Sequence, residues 1–225
     1  SKPITAVAIL QLIEQGKLSE DDKVFEVLDF KAEIEAAGEA FDPRNREITI
    51  RHLLQHRGGW DRDESFDAMF RSVRFAEQVG SDPPAGPRDV ITAMLSQPLD
   101  FDPGERYAYS NFGYCLLGRV IETLTDQTYE SYVQEHVLEP IGVTTMRIGR
   151  TRLDGRFENE VRYYHPGGSE SVFASDLKQR VPSPYGGWYL EAMDSHGGWI
   201  ASATDLARFA AAFDDPDDCP ILSRE

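Results

Sequence analysis

A lysine at the start of the chain and a polar triplet near its middle carry the side chains best suited to chemistry. Tyr109-Ser110-Asn111 runs straight into a strongly apolar stretch in which Phe112, Cys115, Leu116, Val120 and Leu124 recur at helical spacing. Ser110 or Asn111 stands where a cap accepts the first free backbone N–H groups of that helix. Residues two apart in an extended segment point the same way, so Tyr109 and Asn111 face one cleft while Ser110 turns away. A phenol and a carboxamide fixed side by side are useful to an enzyme. The same residues also make an ordinary capped helix after the turn Asp102-Pro103-Gly104-Glu105. Lys2 heads a second apolar helix, where a desolvated ammonium is costly unless it has partners or a lowered pKa. The alternative for Lys2 is an exposed place at a frayed end.

Other constellations carry less. His52 and His56 have the spacing of a zinc-binding helix, but no glutamate follows the first, so no metal site is expected and His56 reads as structural. Gly167-Gly168-Ser169-Glu170-Ser171 lacks the last glycine of a nucleophile elbow and sits in loop sequence. His196-Gly197-Gly198 is followed by a capped helix, so its glycines are expected to permit a tight backbone approach before Trp199. Trp60, Trp188 and Trp199 fit a cleft, a core or an interface equally. No cofactor motif is found.

These side chains are positioned by helices. The first runs from Pro3 to Gly16 and is apolar nearly all round, as a helix buried on most sides must be. Ser19-Glu20-Asp21-Asp22 signals a short turn ending near Leu28, residues 29–46 read as polar and irregular, and Thr49 caps a helix over 50–56. Met69, Phe70, Val73 and Phe75 have loose helical spacing, Pro87 opens a helix through Leu95, and Thr128 starts another that Pro140 stops. Strands are expected at 144–148 and 160–164, loop at 166–187, and a last helix over 206–213 behind the capping box Ser202-Ala203-Thr204-Asp205, before the acidic tail 214–218.

The chain has 225 residues, 40% of them hydrophobic, enough for one good-sized domain or two small ones. A net charge of -16 argues against nucleic acid or an anionic membrane surface as the main partner. No apolar run reaches the roughly 18 residues of a membrane span. Lys2 with the apolar residues 4–10 is not read as a targeting signal, because the same pattern continues as helix and no cleavage site follows. Cys115 among apolar helix residues and Cys219 in the acidic tail give no support for a disulfide. The chain starts in mid-element, as a fragment would.

The blocks S-K-P-I-T-A-V-A-I-L-Q-L-I-E-Q-G-K-L-S, R-H-L-L-Q-H-R-G-G, P-G-E-R-Y-A-Y-S-N-F-G-Y-C-L-L-G-R-V-I-E and G-G-W-I-A-S-A-T-D-L-A-R-F occur in that order. In them the chain resembles the serine β-lactamase and penicillin-binding-protein superfamily, in its class C β-lactamase-like branch of β-lactamases, D-Ala-D-Ala peptidases and esterases. By this resemblance Tyr109-Ser110-Asn111 matches the Y-x-N motif and Lys2 the lysine of S-x-x-K, whose nucleophilic serine would stand two residues before Ser1. A third motif, K-T-G or H-x-G, would follow Glu225. The resemblance implies acyl transfer from an amide, lactam or ester of a small-molecule or peptide substrate. Lys2 and Tyr109 would act as a coupled base, the lysine favouring the phenolate, and Asn111 would bond the substrate's acyl amide and orient Lys2. It implies no cofactor, an extracytoplasmic location, and an α+β fold: a helical subdomain beside an antiparallel sheet, here lacking outer strands. A catalytically inactive scaffold of the same family is the competing expectation.

Overall fold

The computed structural model of the protein describes residues 1–215 and 217–223; Pro216 of the acidic tail, Arg224 and Glu225 lie outside the described residues. In chain order the helices begin with α1 (Lys2–Glu14), α2 (Val24–Val27), α3 (Lys31–Ala37), α4 (Ile50–Leu54), α5 (Ser72–Val79) and α6 (Pro87–Met94). They continue with α7 (Asn111–Thr125) and α8 (Tyr129–Val133), which runs on as a π-helical turn, Gln134–Leu138. Then come β1 (Arg147–Ile148), β2 (Gly168–Glu170), β3 (Arg180–Pro182), α9 (Asp194–Gly197), β4 (Trp199–Ile200) and α10 (Ala203–Ala211). β1 pairs antiparallel with β4, Arg147 opposite Ile200, and β2 with β3, Ser169 opposite Val181.

Local sequence explains the main helices. Pro3 in the first turn of α1 has a fixed φ and no N–H to leave unpaired, and Gly16 just beyond its end takes φ +67°. Ile4, Val7, Ala8, Ile9 and Leu12 are buried along with Thr5 and Gln11, so α1 is enclosed on most sides. Ser110 caps α7, its hydroxyl accepting the Gly113 N–H at 3.2 Å. Before that cap, exposure alternates: Tyr107 and Tyr109 are exposed, Ala108 and Ser110 buried, which is the period of extended chain. Thr49 and His52 close a capping box on α4, and Ser202 and Asp205 another on α10.

α7 is the hub, packing against α1, α2, α4, α8 and α9. The seam with α9 is close: a Cβ on Gly118 would stand 2.6 Å from Ser195 Oγ and 2.7 Å from Ser195 Cβ. Arg119 of α7 holds the same short helix through Asp194 Oδ2 at 2.5 Å. α9 is also tied to α1 by a buried polar chain. Trp199 Nε1 donates to Tyr129 Oη at 2.9 Å, and Tyr129 Oη meets Thr5 Oγ1 at 2.6 Å. Thr5 Oγ1 donates in turn to the Ser195 carbonyl at 2.6 Å. Because the threonine's one proton goes to that carbonyl, the tyrosine must supply the proton of the bond between the two hydroxyls.

Several expectations are corrected. Residues 29–46 contain α3, which buries none of its own residues and so shows no apolar periodicity. The stretch 166–187 contains the β2–β3 hairpin. No strand forms over 160–164, where Val161 and Tyr164 are 69% and 85% exposed and nothing rewards pairing. Strand 144–148 shrinks to β1. Of the two glycines before Trp199, only Gly198 is closely approached, its Cβ position lying 3.0 Å from Asp194 Cα, whereas Gly197 meets nothing within 4 Å.

The Gly118 seam is testable. Gly118→Ala should lower stability by about 1–3 kcal/mol through overpacking, read as a lower urea midpoint, while Gly197→Ala, in open space, stays within about 0.5 kcal/mol of the parent. Equal midpoints for the two variants would contradict the close packing of α7 on α9.

Candidate active site

Lys2 stands in the first turn of α1, with its ammonium among three acceptors from distant parts of the chain. Nζ lies 2.6 Å from Tyr109 Oη, 2.7 Å from Asn111 Oδ1 and 3.0 Å from the His196 carbonyl. Three N–H donors thus meet three acceptors. The His196 carbonyl is available because α9 has only four residues and its last carbonyls find no partner within the helix. Lys2 and Thr5 are three apart on α1 and share a face, so they take consecutive carbonyls of α9, those of His196 and Ser195.

The other two acceptors are set by the start of α7. The extended segment before the cap is held by His56, which has φ +55°. Its carbonyl accepts the Ala108 N–H at 2.9 Å and its Nδ1 the Ser110 N–H at 3.2 Å. The imidazole also packs on Tyr109 and Tyr114, with centroids 4.7 and 5.0 Å apart. Burial, and next the Lys2 charge, lower its pKa, which keeps Nδ1 free to accept. Asn111 Nδ2 donates to Asp67 Oδ2 at 2.7 Å, and Asp67 Oδ1 accepts the Met69 N–H at 3.1 Å, capping the 3-10 turn Ala68–Phe70. Beside Tyr109 and Asn111 opens a cleft with Trp60, Phe66, Met94 and Phe112 in its walls. Arg62, also on the cleft, holds its guanidinium carbon 4.9 Å from the Tyr109 ring centre. Tyr109 itself is 37% exposed, so its phenol is reachable.

The structure thus brings Lys2, Tyr109 and Asn111 together. Ser1 Oγ instead accepts the Trp199 N–H at 3.2 Å. Asp67, Arg62 and the His196 carbonyl belong to the same site and were not legible: a carboxylate 44 positions from its amide partner leaves no local pattern, and a backbone carbonyl has no sequence signature. The histidine pair at 52 and 56 does not converge. His52 Nδ1 accepts the Thr49 N–H at 3.3 Å while His56 serves Ser110, and among the described residues no group of three His, Cys, Asp or Glu side chains could hold a metal. Ser169 lies in β2, its hydroxyl donating to Ser183 Oγ at 2.7 Å. Cys115 and Cys219 are both free thiols.

The His196 side chain is 6% exposed behind Lys2. Burial first, then Lys2 and Arg119, push its pKa down to about 3. The unfolded chain takes up this proton near pH 6.5. Between about pH 6.5 and 3 the unfolded state therefore binds the extra proton, and stability falls as pH falls, by up to about 1.4 kcal/mol per pH unit. Urea unfolding of the parent and His196→Gln should show a shallower acid loss in the variant; parallel curves would mean that His196 is protonated in the folded state as easily as in the unfolded one.

The model of the Beta-lactamase family matches residues 1–220. The Dichelobacter nodosus protein named "Probable fimbrial assembly protein FimD, serogroup H1" is 30% identical over 224 residues, 98% of this chain and 48% of its own length. Penicillin-binding protein 4* of Bacillus subtilis is 27% identical over 231 residues, 100% of this chain and 46% of its own. Among solved structures, a D-stereospecific amidohydrolase from Streptomyces sp. superposes with a TM-score of 0.67 at 25% identity, over 97% of this chain and 60% of that one. The chain spans about half the length of the two curated relatives. Its fold is the β-lactamase and transpeptidase type, helices with small antiparallel sheets, and with 220 consecutive residues matched the chain belongs to the Beta-lactamase family.

Proposed function

We propose that this chain supplies the general-base half of a serine hydrolase that works through an acyl-enzyme on an amide, β-lactam or ester. The observation that carries the reading is the Lys2 ammonium held at 2.6 Å from the Tyr109 phenol and 2.7 Å from the Asn111 carboxamide. The nucleophile is the serine of the S-x-x-K motif, two residues before Ser1, one helical turn from Lys2 and on its face. The rest of the sheet and the third motif belong to the remainder of the full-length protein, and the setting is extracytoplasmic. No described helix is long and apolar enough to cross a membrane.

In the reaction Tyr109 enters as phenolate beside the Lys2 ammonium, and the serine Oγ forms a bond to the substrate carbonyl carbon while its proton passes to the phenolate oxygen. Lys2 already gives its three N–H groups to three acceptors, so its part is to stabilise charge on the phenol oxygen rather than to take the proton. Collapse of the tetrahedral intermediate breaks the C–N or C–O bond, and the proton on Tyr109 leaves with the amine or alcohol. Water then attacks the acyl-enzyme by the same route in reverse. Asn111 keeps one side-chain N–H beyond the one given to Asp67, and donates it to an acyl oxygen of the substrate. The name of the B. subtilis relative supports penicillin-type acylation, and that of the Streptomyces protein an amide substrate. The name of the D. nodosus relative, a probable fimbrial assembly protein, fits a second reading, a scaffold or interaction protein.

Intact-mass spectrometry of the full-length protein with a fluorescent penicillin, and separately a fluorophosphonate, decides between them. The expected result is one adduct on the serine two residues before Ser1, formed about 100–10,000-fold more slowly in Lys2→Met and Tyr109→Phe. A folded full-length protein that takes up neither probe is the scaffold.

A further inference from the structure

We propose that Asp67 is a positioning residue for the site: its carboxylate fixes which way the Asn111 carboxamide points. The inference rests on the reading that Asn111 serves an acyl-transfer site. Asn111 lies between two opposite charges, its Oδ1 on the Lys2 ammonium at 2.7 Å and its Nδ2 on Asp67 Oδ2 at 2.7 Å. Turning the amide over would aim N–H groups at an ammonium and the carbonyl oxygen at a carboxylate, losing two charge-assisted bonds at once. Lys2 alone would bias the amide; with Asp67 opposite, only one orientation is left. One N–H of the amide is then spent on Asp67, which fixes the direction of the other.

Asp67 is itself well held. It caps the turn Ala68–Phe70 through Oδ1, and Ala68 and Met69 behind it are each 3% exposed. Among the described residues no lysine or arginine forms an ion pair with it, although Arg62 is five positions away and Arg106 takes both Asp61 and Glu64. Its second oxygen is therefore given to the amide. The chain of contacts reads carboxylate, amide, ammonium, phenol, and links the segment before α5 to α7 and α1.

Asp67→Asn and Asp67→Ser separate this role from the cap. Both side chains still accept the Met69 N–H, but asparagine offers an N–H to Asn111 and serine is too short to reach it. In the full-length protein both should melt close to the parent temperature while the maximal rate of labelling by fluorescent penicillin falls about 10–100-fold. In an Asn111→Ala background, Asp67→Ser should cause no further loss. A loss of the same size in both backgrounds would mean that Asp67 acts through the loop and would overturn the proposal. Selective 15N labelling of asparagine provides a readout independent of activity. One Asn111 side-chain proton should be protected from exchange in the parent and unprotected in Asp67→Ser, and identical protection in the two would equally overturn it. A wild type that takes no label would sink the hydrolase reading instead, and the amide resonance alone would then decide the position of Asp67.

Discussion

A lysine ammonium drawn out of bulk water is the constraint on which the rest of this structure depends. Removing such a charge from water costs several kcal/mol, and hydrogen bonds involving a charged partner return about 1.5–3 kcal/mol each, so a partly buried lysine needs close to its full set of three. Lys2 obtains them from the extended segment before α7, from the first residue of α7 and from the end of α9. No two of these lie on the same element. The fold must therefore bring two helix ends and a strand-like segment to one point, and an error in any of them leaves the charge under-solvated.

The packing meets that demand at its tightest contacts. Gly118 lets α9 come against α7 closely enough that a single methyl group would collide with Ser195. The Trp199–Tyr129–Thr5 chain then anchors the neighbouring carbonyl of the same four-residue helix to α1. A helix so short has no cooperativity of its own. Its position is set from outside, by Arg119 at one end and by Thr5 and Lys2 at the other. His56 does the corresponding work for the extended segment. Its left-handed backbone turns its carbonyl to Ala108, and its ring supplies both an acceptor for Ser110 and a surface for Tyr109.

What the sequence discloses and what it hides divide along the range of the interactions. α1, α7 and α10 are legible because each signal is local: a proline or serine at one end, apolar residues at helical spacing, a capping box. The facing of Tyr109 and Asn111 is legible from the period of extended chain alone. α3 is hidden because it buries nothing of its own, and the β2–β3 hairpin because strands of three residues hold too little alternation to be read. At the site the lysine, phenol and amide stand in blocks with recognisable neighbours. Asp67 stands in an acidic loop where nothing distinguishes it from Asp61 or Asp63 until the chain is folded.

The acidic composition gains a specific meaning here. With a formal charge of -16 spread over the chain, an arginine or lysine near an active site has many carboxylates to pair with, and pairing would quench it. The loop 61–67 sorts this locally: Arg106 takes Asp61 at 2.6 Å and Glu64 at 2.9 Å, Asp67 is turned inward to Asn111, and Arg62 rests near the Tyr109 ring. Among the described residues Lys2 likewise touches a phenol, an amide and a carbonyl but no carboxylate. A carboxylate in direct contact would hold the ammonium in an ion pair. Set one amide away, Asp67 meets Nδ2 of Asn111 while the ammonium meets its Oδ1, so the carboxylate and the ammonium are bridged by the amide rather than joined in an ion pair.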